Sequence, residues 1–265
     1  MIVIKKEIYY TRPDKFKIYP IGDIHCGSIH CAEDEIGRAI TKIAKDDFAY
    51  IVGTGDYADS IKLHDKRFDA DGLATWVERR NIMESQRRWL RELFEPVKGK
   101  IIALGCGNHE ETVHLGSQED LVGNLCYDLG VPWASYAYYV DLLFKRRNTT
   151  ESHLYQILVW HGGGAARTDG ARTNTMLRLV NDFVADIYIT AHLHGIKGER
   201  PTRIVCENGI VKSQSLAAVM SGSWLKAYTK GNDISYAEMK GLKPSAIGCP
   251  IIQITPNTGE VEVLM

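Results

Sequence analysis

Five times in this chain a short apolar run ends in a segment that combines glycine with an aspartate, asparagine or histidine, and that repetition limits the fold more than any other feature. The segments are G-D-I-H (Gly22 to His25), G-D-Y-A-D (Gly55 to Asp59), G-N-H-E (Gly107 to Glu110), H-G-G (His161 to Gly163) and A-H-L-H-G (Ala191 to Gly195). Rigid strands hold the starts of the loops that follow them, so an α/β scaffold builds its site at strand ends. Glycine next to such residues lets the backbone turn tightly and come close to an ion or a phosphate.

The intervening periodicities complete an α/β pattern. Strands are expected at Lys15–Ile21, Phe48–Val52, Lys100–Leu104, Ser135–Phe144, Leu154–Trp160 and Asp186–Thr190. Further candidates are Arg203–Cys206, Ser215–Met220, Pro250–Thr255 and Val261–Leu264. Helices are expected over Cys31–Lys45, Trp76–Phe94, Asp120–Leu129 and Thr173–Phe183, where apolar residues recur at helical spacing. No repeat, low-complexity tract or Pro/Ser-rich linker divides residues 1–265, so one domain is expected. Tyr57–Thr75 and Trp224–Gly248 are the least regular stretches and read as loops over a site.

Composition narrows the class. No apolar run approaches the ~20 residues of a membrane span, and Met1–Glu7 reads as a strand rather than an export signal. Six scattered cysteines form no C-x-x-C pair and read as reduced, mostly buried residues. A cytoplasmic setting without membrane attachment is the expectation. The formal net charge of -1 removes the cheapest argument for a grip on long nucleic acid, which needs a basic face.

Imidazole and carboxylate together suit manganese, iron, zinc and related divalent ions, and the motifs contain no thiolate of the kind structural zinc sites use. Singly, each motif is an ordinary loop. Together they hold five of the nine histidines, in order, each after an apolar strand. This set resembles the five signature blocks of the calcineurin-like metallophosphoesterase superfamily, across residues 20 to 195. The resemblance implies a four-layer αββα sandwich of two mixed β-sheets flanked by helices. It also implies two divalent ions, with Mn2+ favoured over Fe, Zn, Ni, Co or Mg. One ion would be held by Asp23, His25, Asp56 and His194, and the other by Asp56, Asn108, His161 and His192, with Asp56 bridging. Two such ions roughly 3.5–4 Å apart bind phosphate oxygens and acidify a shared water, whose hydroxide attacks phosphorus in line. His109 is then the candidate general acid. Asp59 either orients His109 or caps a turn, and Glu110 either supports a ligand or lies exposed in the loop.

Protein phosphatases carry an arginine directly after the second aspartate, where this chain has Ser60; that removes a bidentate clamp for phosphomonoesters. A-H-L-H-G resembles the G-H-x-H block of the nuclease and phosphodiesterase branches, with Ala191 in place of glycine. Both tilt the expectation towards a phosphodiester in DNA, RNA or a nucleotide. The alternatives are a phosphomonoesterase and a non-catalytic binding member, the latter disfavoured by the complete ligand set. After His161 a glycine-rich stretch leads to Arg167 and Arg172, read either as phosphate contacts or as solvated residues of a flexible connection. Arg79, Arg80, Arg87, Arg88 and Arg91 read as a solvated helix face, and Lys145-Arg146-Arg147 as a hairpin turn. Trp224, Lys226, Tyr228, Lys230 and Tyr236 either stack a base or pack as a loop. His30, His64, His114 and His153 receive no role.

Overall fold

A computed structural model describes residues 1–61, 71–228, 236–239, 241 and 243–265. His64 and Lys230 lie outside the described residues, as does the side chain of Tyr236. The order is β1 (Ile2–Tyr10), β2 (Phe16–Gly22), α1 (Glu33–Lys45), β3 (Ala49–Gly55), α2 (Ile82–Phe94), β4 (Ile101–Leu104), α3 (Asn108–Ser117) and α4 (Leu121–Leu129). There follow β5 (Ala137–Arg146), β6 (Ser152–Trp160), α5 (Asp169–Asp182), β7 (Ile187–Thr190), β8 (Ile196–Glu199), β9 (Thr202–Glu207) and β10 (Ile210–Ser215). The last elements are β11 (Ala217–Ser221), α6 (Tyr236–Met239), β12 (Ile251–Thr255) and β13 (Glu260–Leu264).

Two mixed sheets form the centre. One has the order β1-β5-β6-β7-β11-β8, the other β13-β12-β2-β3-β4, and β9 and β10 form a separate ribbon. The parallel run β2-β3-β4 pairs Ile18 with Tyr50 and Ile51 with Ile101, while β6, β7 and β11 run parallel in the other sheet. A core between the sheets joins Ile18, Val52 and Ile254 to Val140, Ile157, Ile189 and Val219. Tyr138 crosses this core to donate its hydroxyl to the Gly53 carbonyl at 2.8 Å, which satisfies a polar group that burial would otherwise penalise.

The outer face of β2-β3-β4 packs on α1, α2 and α4 through Ile21, Ile51, Ile36, Ile40, Leu90 and Leu125. α5 covers the other sheet through Met176 and Leu179 against Leu158, Tyr188 and Met220. Helix, sheet, sheet and helix thus form four layers, as the alternating pattern predicts. Among the described residues no helix is long and apolar enough to cross a membrane. Cys26, Cys31, Cys106 and Cys126 are buried, and all six cysteines are unbridged.

Two helices start well away from where the sequence places them. The helix expected from Trp76 begins at Ile82. Trp76 instead folds back to stack on Trp89, with ring centroids 5.8 Å apart, and donates to Glu33 at 2.8 Å. The helix expected from Thr173 begins at Asp169, because Thr168 caps it by accepting from the Ala171 N–H at 3.2 Å. Arg172 therefore lies on α5 rather than in a flexible loop. The G-N-H-E segment opens α3, which the sequence does not announce. Arg87 and Arg88 on α2 pair with Glu84, Asp128 and Glu78 on the solvated face, and Lys145–Arg147 lead from β5 into the turn before β6.

Candidate metal centre

β2, β3 and β4 end on one side of the five-stranded sheet, and β6 and β7 end on the matching side of the six-stranded sheet, so five strand ends meet. Asp23 and His25 follow β2, Asp56 follows β3, Asn108 opens α3 after β4, His161 follows β6, and His192 and His194 follow β7. The loops are stitched together by their own backbones. Asp23 N–H donates to the Gly55 carbonyl at 2.9 Å, and the Ile24 and His25 N–H groups donate to the Asp56 carbonyl at 2.8 and 3.1 Å.

Two groups of electron-pair donors result. In the first, His194 Nε2 lies 3.4 Å from Asp23 Oδ1 and 3.2 Å from His25 Nε2. Asp23 Oδ2 accepts from the His192 backbone N–H at 2.9 Å, and Oδ1 is buried without a hydrogen-bond partner among the described residues. In the second, His161 Nε2 lies 3.2 Å from Asp56 Oδ2 and 3.1 Å from Asn108 Oδ1, and His192 Nδ1 lies 2.7 Å from that same Oδ1. The outer nitrogens fix the tautomers: His161 Nδ1–H donates to the Thr54 carbonyl at 2.7 Å, and His192 Nε2–H to the Gly164 carbonyl at 3.1 Å. His192 then turns a lone pair inwards, and His161 would do the same on giving up the proton it holds against Asp56. Acceptor atoms crowded within about 3 Å of one another repel unless a cation stands among them. The donors present therefore fit divalent ions. Three metal-capable triads, Asp23–His25–His194, His25–Asp56–His109 and Asp56–His161–His192, share His25 and Asp56, so Asp56 stands between the two groups.

Burial alone would raise the Asp56 carboxyl, but His161 beside it, helped by His109 and His25, holds it well below the usual carboxylate range. Asp23 is depressed in the same way, burial being outweighed by His194 and His161. Burial lowers His25 and His192 and favours their neutral, metal-binding form. Burial would lower His161 as well, but Asp56 and Asp23 pull it up to about 9.

His109 sits at the edge of the cluster, its ring 4.6 Å from that of His25, and its backbone N–H donates to Asp56 Oδ1 at 2.9 Å. Its Nδ1 faces the backbone carbonyl of Asp59 at 2.5 Å, a contact that holds the ring in place. This corrects the expected carboxylate contact: Asp59 Oδ1 instead lies 3.6 Å from His25 Nδ1, and the turn after Asp56 presents the Asp59 carbonyl to His109. Arg172 is 7% exposed, with Nε 3.4 Å from the Ala166 carbonyl and its guanidinium against Gly195; Arg167 is exposed. Trp224 is a core residue that donates its backbone N–H to the Asp23 carbonyl at 2.9 Å, so the reading of it as a stacking platform fails. Tyr228 is exposed and Lys226 half-buried.

Two supporting residues, Ser223 and Tyr136, escape sequence reading. Ser223 Oγ donates to the Asp23 carbonyl at 3.0 Å, and the Tyr136 hydroxyl donates to the Gly162 carbonyl at 2.6 Å while its ring packs on His161. Glu110 is buried and accepts four backbone N–H groups. Only Glu110 carried a signal, namely its place three residues after Gly107 in a half capping box.

Asp23, His25, Asp56, Ser60, His192 and His194 all hold left-handed backbone, with φ between 46° and 67°. Such a conformation costs a non-glycine residue about 1 kcal/mol or more. The loops thus store several kcal/mol of strain, and five of these six residues are the donors just described. Ser60 is the exception, and among the described residues its buried hydroxyl has no hydrogen-bond partner. Ser60→Gly removes both the strain and the unpaired hydroxyl, against a chain-entropy cost of about 0.5–1 kcal/mol. A gain of about 1 kcal/mol is expected in urea unfolding; an unchanged or lower midpoint would contradict the strain assignment.

The sequence model of the family described as calcineurin-like phosphoesterase matches residues 16–195. No curated protein matches the chain. Among solved structures, Vps29 from Entamoeba histolytica complexed with Zn2+ is similar over 61% of this chain and 79% of its own, at 15% identity and a TM-score of 0.24. A single-substitution variant of that protein matches over 61% and 81%, at 15% identity and a TM-score of 0.23. Because the family model spans all five strand-end motifs and more than half of the sequence, this chain belongs to the calcineurin-like phosphoesterase family, whose members depend on a dinuclear metal centre.

Proposed function

We propose that this chain is a hydrolase that cleaves phosphodiester bonds, in a nucleic acid or a nucleotide, with two divalent ions, Mn2+ first among them. The observation that carries this reading is the convergence of seven donors from five strand ends, with His109 beside them. Asp23, His25 and His194 would hold one ion; Asn108, His161 and His192 the other; Asp56 would serve both. When bound, such a pair supplies Lewis acidity to the phosphoryl oxygens and lowers the pKa of water. The chain's own residues do the rest. Asp56 sets the spacing between the two donor groups. Asp59 fixes His109 through its carbonyl, so that Nε2 can deliver a proton to the departing oxygen. Arg172, held against Gly195, and Arg167 beside the Gly162–Gly164 turn, are the phosphate contacts of this reading. Ser60, where phosphomonoesterases of the protein-phosphatase branch carry arginine, supports the diester preference. The unbridged cysteines are compatible with a cytoplasmic setting.

The test is hydrolysis of bis-p-nitrophenyl phosphate against p-nitrophenyl phosphate by the purified chain in Mn2+. Faster turnover of the diester is expected; monoester preference moves the assignment to a phosphomonoesterase, and inertness in every metal to a binding member. A dinucleotide should add a second reading. Its alkoxide leaving group needs a proton, whereas p-nitrophenolate leaves without one. His109→Ala should therefore cost about 10²-fold or more on the dinucleotide and far less on the p-nitrophenyl diester. Equal losses on the two substrates would remove His109 from the general-acid role.

A further inference from the structure

Glu110 is 3% exposed, and four backbone N–H groups converge on its carboxylate. Oε1 accepts from Tyr57 at 2.6 Å and Ala58 at 3.1 Å, and Oε2 accepts from Asp56 and Gly107, each at 3.0 Å. Three of these donors belong to the loop after β3, which carries Asp56. The fourth belongs to the loop after β4 and directly precedes Asn108. One carboxylate thus joins two loops that meet nowhere near each other in sequence. Burying a carboxylate is costly unless its lone pairs are filled, and here backbone fills them.

We propose that Glu110 is a positioning residue that sets the distance between the two metal half-sites. This assignment rests on the two-metal reading above. Asp56 is the donor common to both half-sites, and Asn108 belongs to the second alone. Glu110 grips the backbone at both places, so it fixes how far Asn108 stands from Asp56. The first half-site depends on it less. The Asp56 carbonyl still accepts from the Ile24 and His25 N–H groups, which tie Asp56 to the loop bearing Asp23 and His25. Loss of the grip should therefore weaken the Asn108–His161–His192 half-site selectively.

Glutamine has nearly the same shape but a single acceptor oxygen. Its amide nitrogen would point N–H groups at two backbone N–H donors, so two of the four bonds are lost. The experiment is a calorimetric titration of the metal-stripped full chain with Mn2+, together with metal content after gel filtration and turnover of bis-p-nitrophenyl phosphate over a range of Mn2+. Wild type is expected to take two ions. Glu110→Gln is expected to take one with unchanged affinity and the second about 10–100-fold more weakly. Its kcat should fall in micromolar Mn2+ and recover in excess Mn2+, which a general loosening of the fold would not allow. Two undiminished sites in Glu110→Gln would overturn the proposal, as would equal weakening of both with no recovery in excess metal. If the glutamine variant does not fold, Glu110→Asp, one methylene shorter and unable to span both loops, must show the same selective loss; two undiminished sites there overturn the assignment. A wild-type chain that takes up no Mn2+ sinks the two-metal reading itself, a result distinguishable from failure of the Glu110 role.

Discussion

Asp56→Ala is expected to abolish hydrolysis of diester and monoester alike, with kcat/KM down about a thousandfold or more. The carboxylate is 1% exposed and stands in two of the three metal-capable triads among the described residues. Its Oδ2 faces His161 Nε2 at 3.2 Å, and its Oδ1 accepts the His109 backbone N–H at 2.9 Å. Removing it deprives both half-sites of a shared anion and frees the residue proposed as general acid. A loss of about 4 kcal/mol of transition-state stabilisation, modest for a metal pair, already amounts to about three powers of ten. Alanine also leaves His161 without its partner, and breaking a buried pair destabilises the fold. Asp56→Asn separates the two effects, because its side-chain oxygen can still accept from His109 while its charge is gone. The asparagine variant should fold, bind Mn2+ poorly and be as inactive as the alanine variant. Retention of even a tenth of wild-type turnover in either would contradict a shared role for this carboxylate.

How much of this centre is legible in the sequence follows from what periodicity and composition can report. Asp23, His25, Asp56, Asn108, His161, His192 and His194 are visible because each follows an apolar strand closely, and the structure brings all seven to one place. Glu110 is not visible in that way. Its partners Asp56, Tyr57 and Ala58 lie 52 to 54 residues away, and they contribute backbone N–H groups that have no side-chain identity to read. α3 is hidden for a related reason: only Glu110 and Val113 are buried along it, so it has no apolar stripe. The Asp59 expectation failed on a finer point, since a sequence cannot show whether a residue reaches its neighbour by carboxylate or by carbonyl. Ser223 and Tyr136 act on the centre through carbonyl acceptors of Asp23 and Gly162, contacts that again leave no pattern in the chain. The strand order was equally hidden. Two sheets were expected, but which strand ends meet is decided by the core through which Val52 and Ile254 face Ile157 and Ile189.

The same packing makes Gly55→Ala a substitution with a large expected effect on folding. Gly55 ends β3 at φ +90°, a conformation that any side chain strains. A Cβ there would stand 2.3 Å from Gly107 N, 2.4 Å from the Cys106 carbonyl carbon and 2.6 Å from the Cys106 oxygen. All three are backbone atoms of the loop after β4, so no rotamer change relieves the clash. The Gly55 carbonyl also accepts from Asp23 N–H at 2.9 Å. A shift at this residue is therefore felt on both sides, by the loop of Asp23 and by the loop of Asn108. Strain of about 1–2 kcal/mol and overpacking of about 1–3 kcal/mol together give a loss of about 3 kcal/mol. In a chain of this size that lowers Tm by about 10 °C. Gly163→Ala is the control: it neighbours the same centre, yet a Cβ there meets nothing within 4 Å and its φ is ordinary. Differential scanning calorimetry of the metal-free variants should show a large drop for Gly55→Ala and none for Gly163→Ala. Added Mn2+ should raise the Tm of wild type and of Gly163→Ala alike, and do little for Gly55→Ala. Wild-type melting and wild-type stabilisation by Mn2+ in Gly55→Ala would show that the β3 and β4 loops need no close approach, and the spacing on which the proposed centre depends would lose its cause.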